Sequence, residues 1–172
     1  IDKSGNDHPV TITGDVTSNT TQTLFGQDTL EFDGNGDYLS LPGNTPELLF
    51  TNSDDITIEF WFYKTGHGAD IDGMSYTPLV GKSGLSVQTH GWVFVTQDSG
   101  QIQLMLNGGA GWTVDGSSGS GSIWKSGLSL DTWYHVAGVK DGSKWSLYVD
   151  GELCGTLVPS GTAYGNQSQY DL

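Results

Sequence analysis

Two short stretches carry the acidic residues most suited to chemistry. Asp70-Ile71-Asp72-Gly73 sets two carboxylates at alternate positions, and Asp33-Gly34-Asn35-Gly36-Asp37 has an Asp-x-Asn-x-Asp rhythm. Hard oxygen donors on short arms are what calcium takes as ligands. Asp70, Asp72, Asp33 and Asp37 are therefore the candidate metal-binding residues, and calcium is the candidate cofactor. Asp, Asn and Gly are also the residues of turns, so a turn is the preferred account of the Asp33 stretch and an equal rival to metal binding for Asp70 and Asp72. The Asp33 stretch is not an EF-hand loop, since Asn44 stands where the twelfth-place Glu belongs.

Aromatic side chains offer a second kind of site. Sugars stack their apolar faces on Trp or Tyr while carboxylates and amides take the hydroxyls. Trp112, Trp124, Tyr76 and Tyr164 lie in Gly/Ser-rich or Asp-rich segments, where an exposed ring needs a reason to be there. Trp92, beside Gly91, fits either a core or a site. The candidate ligand-binding residues are thus Trp112, Trp124, Tyr76 and Trp92. Trp61, Trp133 and Trp145 sit in regular strand patterns and are expected in the core.

Catalytic arrangements fare worse. A retaining glycosidase needs two carboxyl groups about 5–5.5 Å apart, and the nearest approach is Glu31-Phe32-Asp33, which turns at once into Gly34-Asn35-Gly36. Glu59 stands alone on its strand. The histidines, His8, His67, His90 and His135, have no short metal-ligand spacing, and Cys154 is the single cysteine. No phosphate-cradling or dinucleotide fingerprint occurs in a strand-to-helix context. The chain is read as a non-enzyme.

The elements that hold these residues are strands. Ile56–Tyr63 alternates Ile56, Ile58, Phe60 and Phe62 with Thr57, Glu59, Trp61 and Tyr63, and the same period of two returns in Gln101–Asn107, Trp133–Val139 and Lys144–Asp150. Asp150-Gly151 separates two such runs by two residues, which predicts a tight type I′ hairpin, and Asp141-Gly142 adds a third strand to the meander. Gly108–Gly127 reads as one long Gly/Ser-rich loop. At 172 residues and 35% hydrophobic content, the chain suits one domain. Its 20 acids against six lysines, with no arginine, give a net charge of −14. That repels nucleic acid and anionic lipid. No apolar run approaches the roughly 18–20 residues of a membrane span.

Three segments, taken in order, resemble the laminin G-like, or concanavalin A-like, lectin and glucanase family. They are Phe25-Gly26 through Leu30-Glu31-Phe32-Asp33-Gly34 with Asp37-Tyr38-Leu39, then Ile56–Trp61, then Trp133-Tyr134-His135-Val136-Ala137 with Leu147–Gly151. The resemblance implies an all-β antiparallel two-sheet jelly-roll sandwich spanning residues 1–172 as a single domain, excised from a longer chain and lacking the family's first and last strands. It also implies that neighbouring domains or chains cover the bare sheet edges, and that His135 is a hydrogen-bonded structural imidazole. The functional expectation is a carbohydrate-binding, adhesive recognition module at an extracellular, cell or virion surface, with glycan or polysaccharide as partner and calcium organising the loops. Its rival is a structural spacer or assembly domain without a small ligand. A glycoside hydrolase-related domain ranks third.

Overall fold

The computed structural model describes residues 4–50, 53–66, 76–82, 90–108 and 121–159. Twelve strands make up almost all of its regular structure: β1 (Thr11–Thr13), β2 (Thr17–Leu24), β3 (Gln27–Glu31), β4 (Tyr38–Ser40), β5 (Ile56–Tyr63), β6 (Tyr76–Lys82), β7 (His90–Gln97), β8 (Gln101–Gly108), β9 (Gly121–Lys125), β10 (Trp133–Asp141), β11 (Lys144–Val149) and β12 (Glu152–Leu157). Two four-stranded antiparallel sheets, ordered β12-β11-β10-β5 and β6-β7-β8-β9, form the sandwich. β1 pairs with β4, and β2 with β3, as two further ribbons. This is the all-β antiparallel sandwich expected from the strand periods.

The alternation decides what lies between the sheets. Val136, Trp145, Leu147 and Val149 come from one sheet, and Trp92, Phe94, Ile102, Leu104, Leu106 and Ile123 from the other, all buried in one cluster. Ile56, Ile58, Phe60 and Phe62 pack against it from β5, as a strand with one dry face must. Phe60 meets Phe94 edge-to-face at 5.2 Å and 84°, which joins the sheets through the favourable aromatic geometry. Gly138 sits between Ile58 and Leu147 in the register. A Cβ there would lie 2.5 Å from Phe94 Cζ, so the missing side chain is the hole that the Phe94 ring fills.

The turns follow their chemistry. Asp150 and Gly151 both have positive φ, 51° and 79°, between the paired Val149 and Glu152; this is the type I′ hairpin expected from Asp-Gly. Gly142, at φ 57°, opens the β10–β11 turn. The Gly108–Gly127 loop is corrected, because Gly121–Lys125 forms β9 against β8. Ile123 faces the core from it, while glycine and serine fill the flanking buried positions. Local composition reads such a strand as a loop.

Two lysines are buried and spend their ammonium groups on carbonyls. Lys82 Nζ donates to Gly43 O at 2.8 Å, and Lys140 Nζ donates to Asp54 O at 2.5 Å. A buried cation without such partners would be strongly destabilising.

Candidate functional site

Pairing of β5 with β10 builds the most distinctive surface of the described residues. The pleat that sends Ile58, Phe60 and Phe62 inward sends Glu59, Trp61 and Tyr63 out, and the register places His135 opposite Trp61 and Trp133 opposite Tyr63. Trp61 remains 40% exposed. Its ring lies 5.1 Å from that of His135, and Tyr63 lies 5.3 Å from Trp133. His135 Nε2 in turn stands 3.5 Å from a Glu59 carboxylate oxygen, whose side chain is 63% exposed.

The β2–β3 hairpin brings a further ring to this face. Leu24 pairs with Gln27, so Phe25 and Gly26 are the two turn residues, with φ of 51° and 75°. Glycine adopts that conformation freely, whereas a bulky side chain there is strained. Phe25 accepts the strain while 79% exposed, and its ring meets Trp61 at 5.3 Å and 89°. An exposed, edge-on Phe–Trp pair beside a carboxylate and an imidazole therefore stands on the outer surface of the sheet.

Asp150 fixes the base of this platform. Its Oδ1 accepts the His135 N–H at 2.9 Å, and its own N–H donates to His135 O at 2.8 Å. Both backbone groups of His135 are thereby satisfied by one residue of the I′ turn, and the imidazole is held toward Trp61. The His135 imidazole thereby stands between the Trp61 ring and the Glu59 carboxylate.

The expected metal residues part company. The structure gathers Asp33 and Asp37 and adds Asp15, with a carboxylate oxygen from each within 4.8 Å of the others. Asp37 clips two chain segments together: Oδ1 accepts the Asp15 N–H at 2.8 Å and Oδ2 the Asp33 N–H at 3.0 Å. These bonds, the Asp33 N–H foremost, hold the Asp37 carboxyl below the ordinary aspartate range. Asp33 Oδ1 also accepts the Asn35 N–H at 2.7 Å, an Asx turn. Gly14 makes the clip feasible, since a Cβ there would lie 2.0 Å from Asp37 Oδ1. Asp70 and Asp72 lie outside the described residues.

The expected ligand-binding aromatics are also dispersed. Trp112 and Tyr164 lie outside the described residues. Trp92 is corrected to a core residue: it is 3% exposed and packs on Phe94, because the strand pleat turns it inward with Phe94. Trp124 is 50% exposed, on the outward face of β9 rather than in a loop. Tyr76 is half-buried at the start of β6. Of the strand tryptophans expected in the core, Trp145 is there and fully buried. Trp61 is not, since its place on β5 opposes that of the four inward residues, a signal present in the alternation itself. Glu31 and Glu59 are engaged separately, Glu31 by Asn19 Nδ2 at 2.8 Å and Glu59 by His135.

A cleft of about 220 Å³ opens beyond the end of β5, lined in part by Phe62, Lys64, Asp98, Ser129 and Leu130. Its ammonium is committed: Lys64 Nζ donates to Gln97 O at 3.2 Å and lies 3.7 Å from Asp98.

The laminin G-type model of the concanavalin A-like lectin/glucanases superfamily matches residues 33–170, most of the chain and all eight strands of the sandwich. The chain belongs to this superfamily. Among solved structures, this lectin/glucanase-superfamily chain is similar to the botulinum neurotoxin serotype G binding domain, with a TM-score of 0.68 at 15% identity over 97% of the chain. It spans 39% of that domain's length. Mouse laminin alpha1 domains LG4-5 give a TM-score of 0.46 at 18% identity, over 70% of this chain and 28% of that one. The CBM40 of a Ruminococcus gnavus sialidase, bound to α2,3-sialyllactose, gives 0.46 at 17% identity, over 69% of this chain and 60% of its own. Comparison with curated protein sequences finds no match. At these identities the toxin domain speaks for the fold alone.

Proposed function

We propose that residues 1–172 form one non-catalytic carbohydrate-recognition module of a larger surface protein, and that the Phe25–Trp61–His135–Glu59 platform is its sugar-binding surface. The observation that carries this reading is Phe25, a bulky residue held in a left-handed turn and 79% exposed over Trp61. Strain of about 1–3 kcal/mol at such a position persists only where the surroundings impose it, and it gathers at binding sites. Rings for the apolar face of a pyranose and a carboxylate for its hydroxyls lie side by side. Adhesion at an extracellular, cell or virion surface belongs to the same proposal. No helix among the described residues is long and apolar enough to cross a membrane.

Calcium is proposed at the Asp15–Asp33–Asp37 cluster. Three oxygen-only donors within 4.8 Å suit a hard cation, and each carboxylate keeps lone pairs beyond those its backbone N–H groups use. The ion would supply positive charge among three acids and bind the β1–β2 and β3–β4 links together. Asp70 and Asp72 remain proposed as a second loop position for it.

The test is a panel of immobilised oligosaccharides probed with the wild type and Trp61→Ala. Binding that Trp61→Ala loses supports the module; binding to none of them refutes it. One observation favours the spacer reading: Ile12, Leu30 and Tyr38 on the N-terminal ribbons are 63%, 54% and 52% exposed. A neighbouring chain or domain on those strands would cover them, and concentration-dependent self-association in light scattering would support that alternative.

A further inference from the structure

We infer that the platform selects glycans whose exposed sugars bear a free amino group over the same sugars N-acetylated or acidified; the inference rests on the carbohydrate reading above. Charge at the ring face sets this preference. The chain carries a net charge of −14 and no arginine, so anionic sugars approach against a repulsive field. The same field draws a cation in.

The distribution sharpens this. Of the five described lysines, Lys82 and Lys140 are buried, while Lys64 and Lys125 pair with Asp98 and Glu152. Lys144 stands opposite Asp141 in the strand register, at the far end of the β10–β11 ladder from His135. No described lysine therefore joins the platform. Its charged neighbours are carboxylates: Glu59 at 3.5 Å from His135 Nε2, and Asp150 on the His135 backbone. Asp28, exposed, lies on β3 just after the turn that carries Phe25.

An ammonium group fits this arrangement twice. The negative face of Trp61 attracts it as a cation–π contact, and Glu59 accepts its N–H in a charge-assisted hydrogen bond. N-acetylation removes the charge and two of the three N–H donors, and a sulfate or carboxylate on the sugar reverses the sign. Both contacts are exposed to water, so the expected preference for amine over N-acetyl is roughly fivefold at low salt, shrinking as salt screens it.

The experiment measures calorimetric affinities of the whole chain for equal-length oligosaccharides of glucosamine, of N-acetylglucosamine and of a sulfated hexosamine, with oligolysine as a sugar-free cation. The expected order is glucosamine, then N-acetylglucosamine, then the sulfated form with none. In Glu59→Gln, an exposed substitution that leaves the core untouched, the glucosamine-to-N-acetyl ratio falls toward one. Equal wild-type affinity for the amine and N-acetyl forms overturns the selectivity while leaving carbohydrate recognition standing. A ratio unchanged in Glu59→Gln overturns it as well. So does oligolysine binding as tightly as the glucosamine oligomer with Trp61→Ala indifferent, since that assigns the effect to the general acidic surface. Absence of binding to any sugar removes both proposals together.

Discussion

Replacing Gly138 by alanine tests how closely the two sheets approach. Gly138 lies in the middle of β10 with Ile58 and Leu147 on either side, and it is not among the glycines with positive φ. In an open strand position, Gly→Ala stabilises by about 0.4–1 kcal/mol, because the unfolded chain loses freedom. Here the added Cβ would meet Phe94 Cζ at 2.5 Å, Leu104 Cδ2 at 3.2 Å and Phe94 Cε1 at 3.3 Å. Phe94 and Leu104 are fully buried and have no room to yield. Overpacking of this kind costs about 1–3 kcal/mol, so the sign of the effect decides the matter. Thermal unfolding followed by tryptophan fluorescence is expected to show a midpoint lowered by about 2–12 °C, at about 2–4 °C per kcal/mol for a chain of this size. Phe94→Leu removes the obstructing ring edge. On that background Gly138→Ala should cost less by about 0.5–3 kcal/mol, the coupling expected of groups in contact. A raised midpoint in the single variant, or additive effects in the pair, would refute the close approach and with it the way the sandwich is closed.

Other outcomes follow from the surface groups. Trp61→Ala should weaken glycan binding by more than about tenfold in the same calorimetry, as truncation of a central aromatic anchor does, while its exposed position keeps the melting midpoint near that of the wild type. Asp37, held below the ordinary aspartate value of 3.8 chiefly by the Asp33 N–H, stabilises the fold above that value, and the stabilisation is lost as pH falls through the folded-state value. Asp37→Asn should therefore melt below the wild type at neutral pH, with the gap closing in acid; a constant gap across a pH series would contradict this. Calcium at a thousand times its dissociation constant should add about 4 kcal/mol to stability, and Asp33→Asn should abolish the shift in a melt repeated with chelator. Burial pushes the Cys154 thiol up, ahead of the opposing pull of Lys125, so its alkylation near pH 8 should run slower than that of free cysteine, as mass spectrometry of timed samples would show.

Features of the fold that rest on neighbours in the chain were legible before any coordinates. Ile56–Tyr63 alternates strictly, and its burial alternates with it as far as Phe62. Asp150-Gly151 makes a I′ turn because those two residues tolerate positive φ, whatever surrounds them. β9 was hidden for the converse reason: only Ile123 of its five residues is a buried large apolar side chain, and its pairing with β8 comes from outside the segment.

The site shows the same division. Asp33 and Asp37 stand close enough in sequence to suggest a cluster, but Asp15 enters through a backbone bond across 22 residues. Trp61 looked like one more strand aromatic until the β5–β10 register set His135 opposite it and a separate hairpin laid Phe25 on its ring. By itself the sequence determined the strand periods, the turn chemistry, the superfamily and the acidic field, because each of these is a property of local order or of total composition. Which rings share a face, which acids meet and which tryptophan is buried were decided only by the tertiary structure, because the pairing of distant strands sets the distances on which stacking and charge depend.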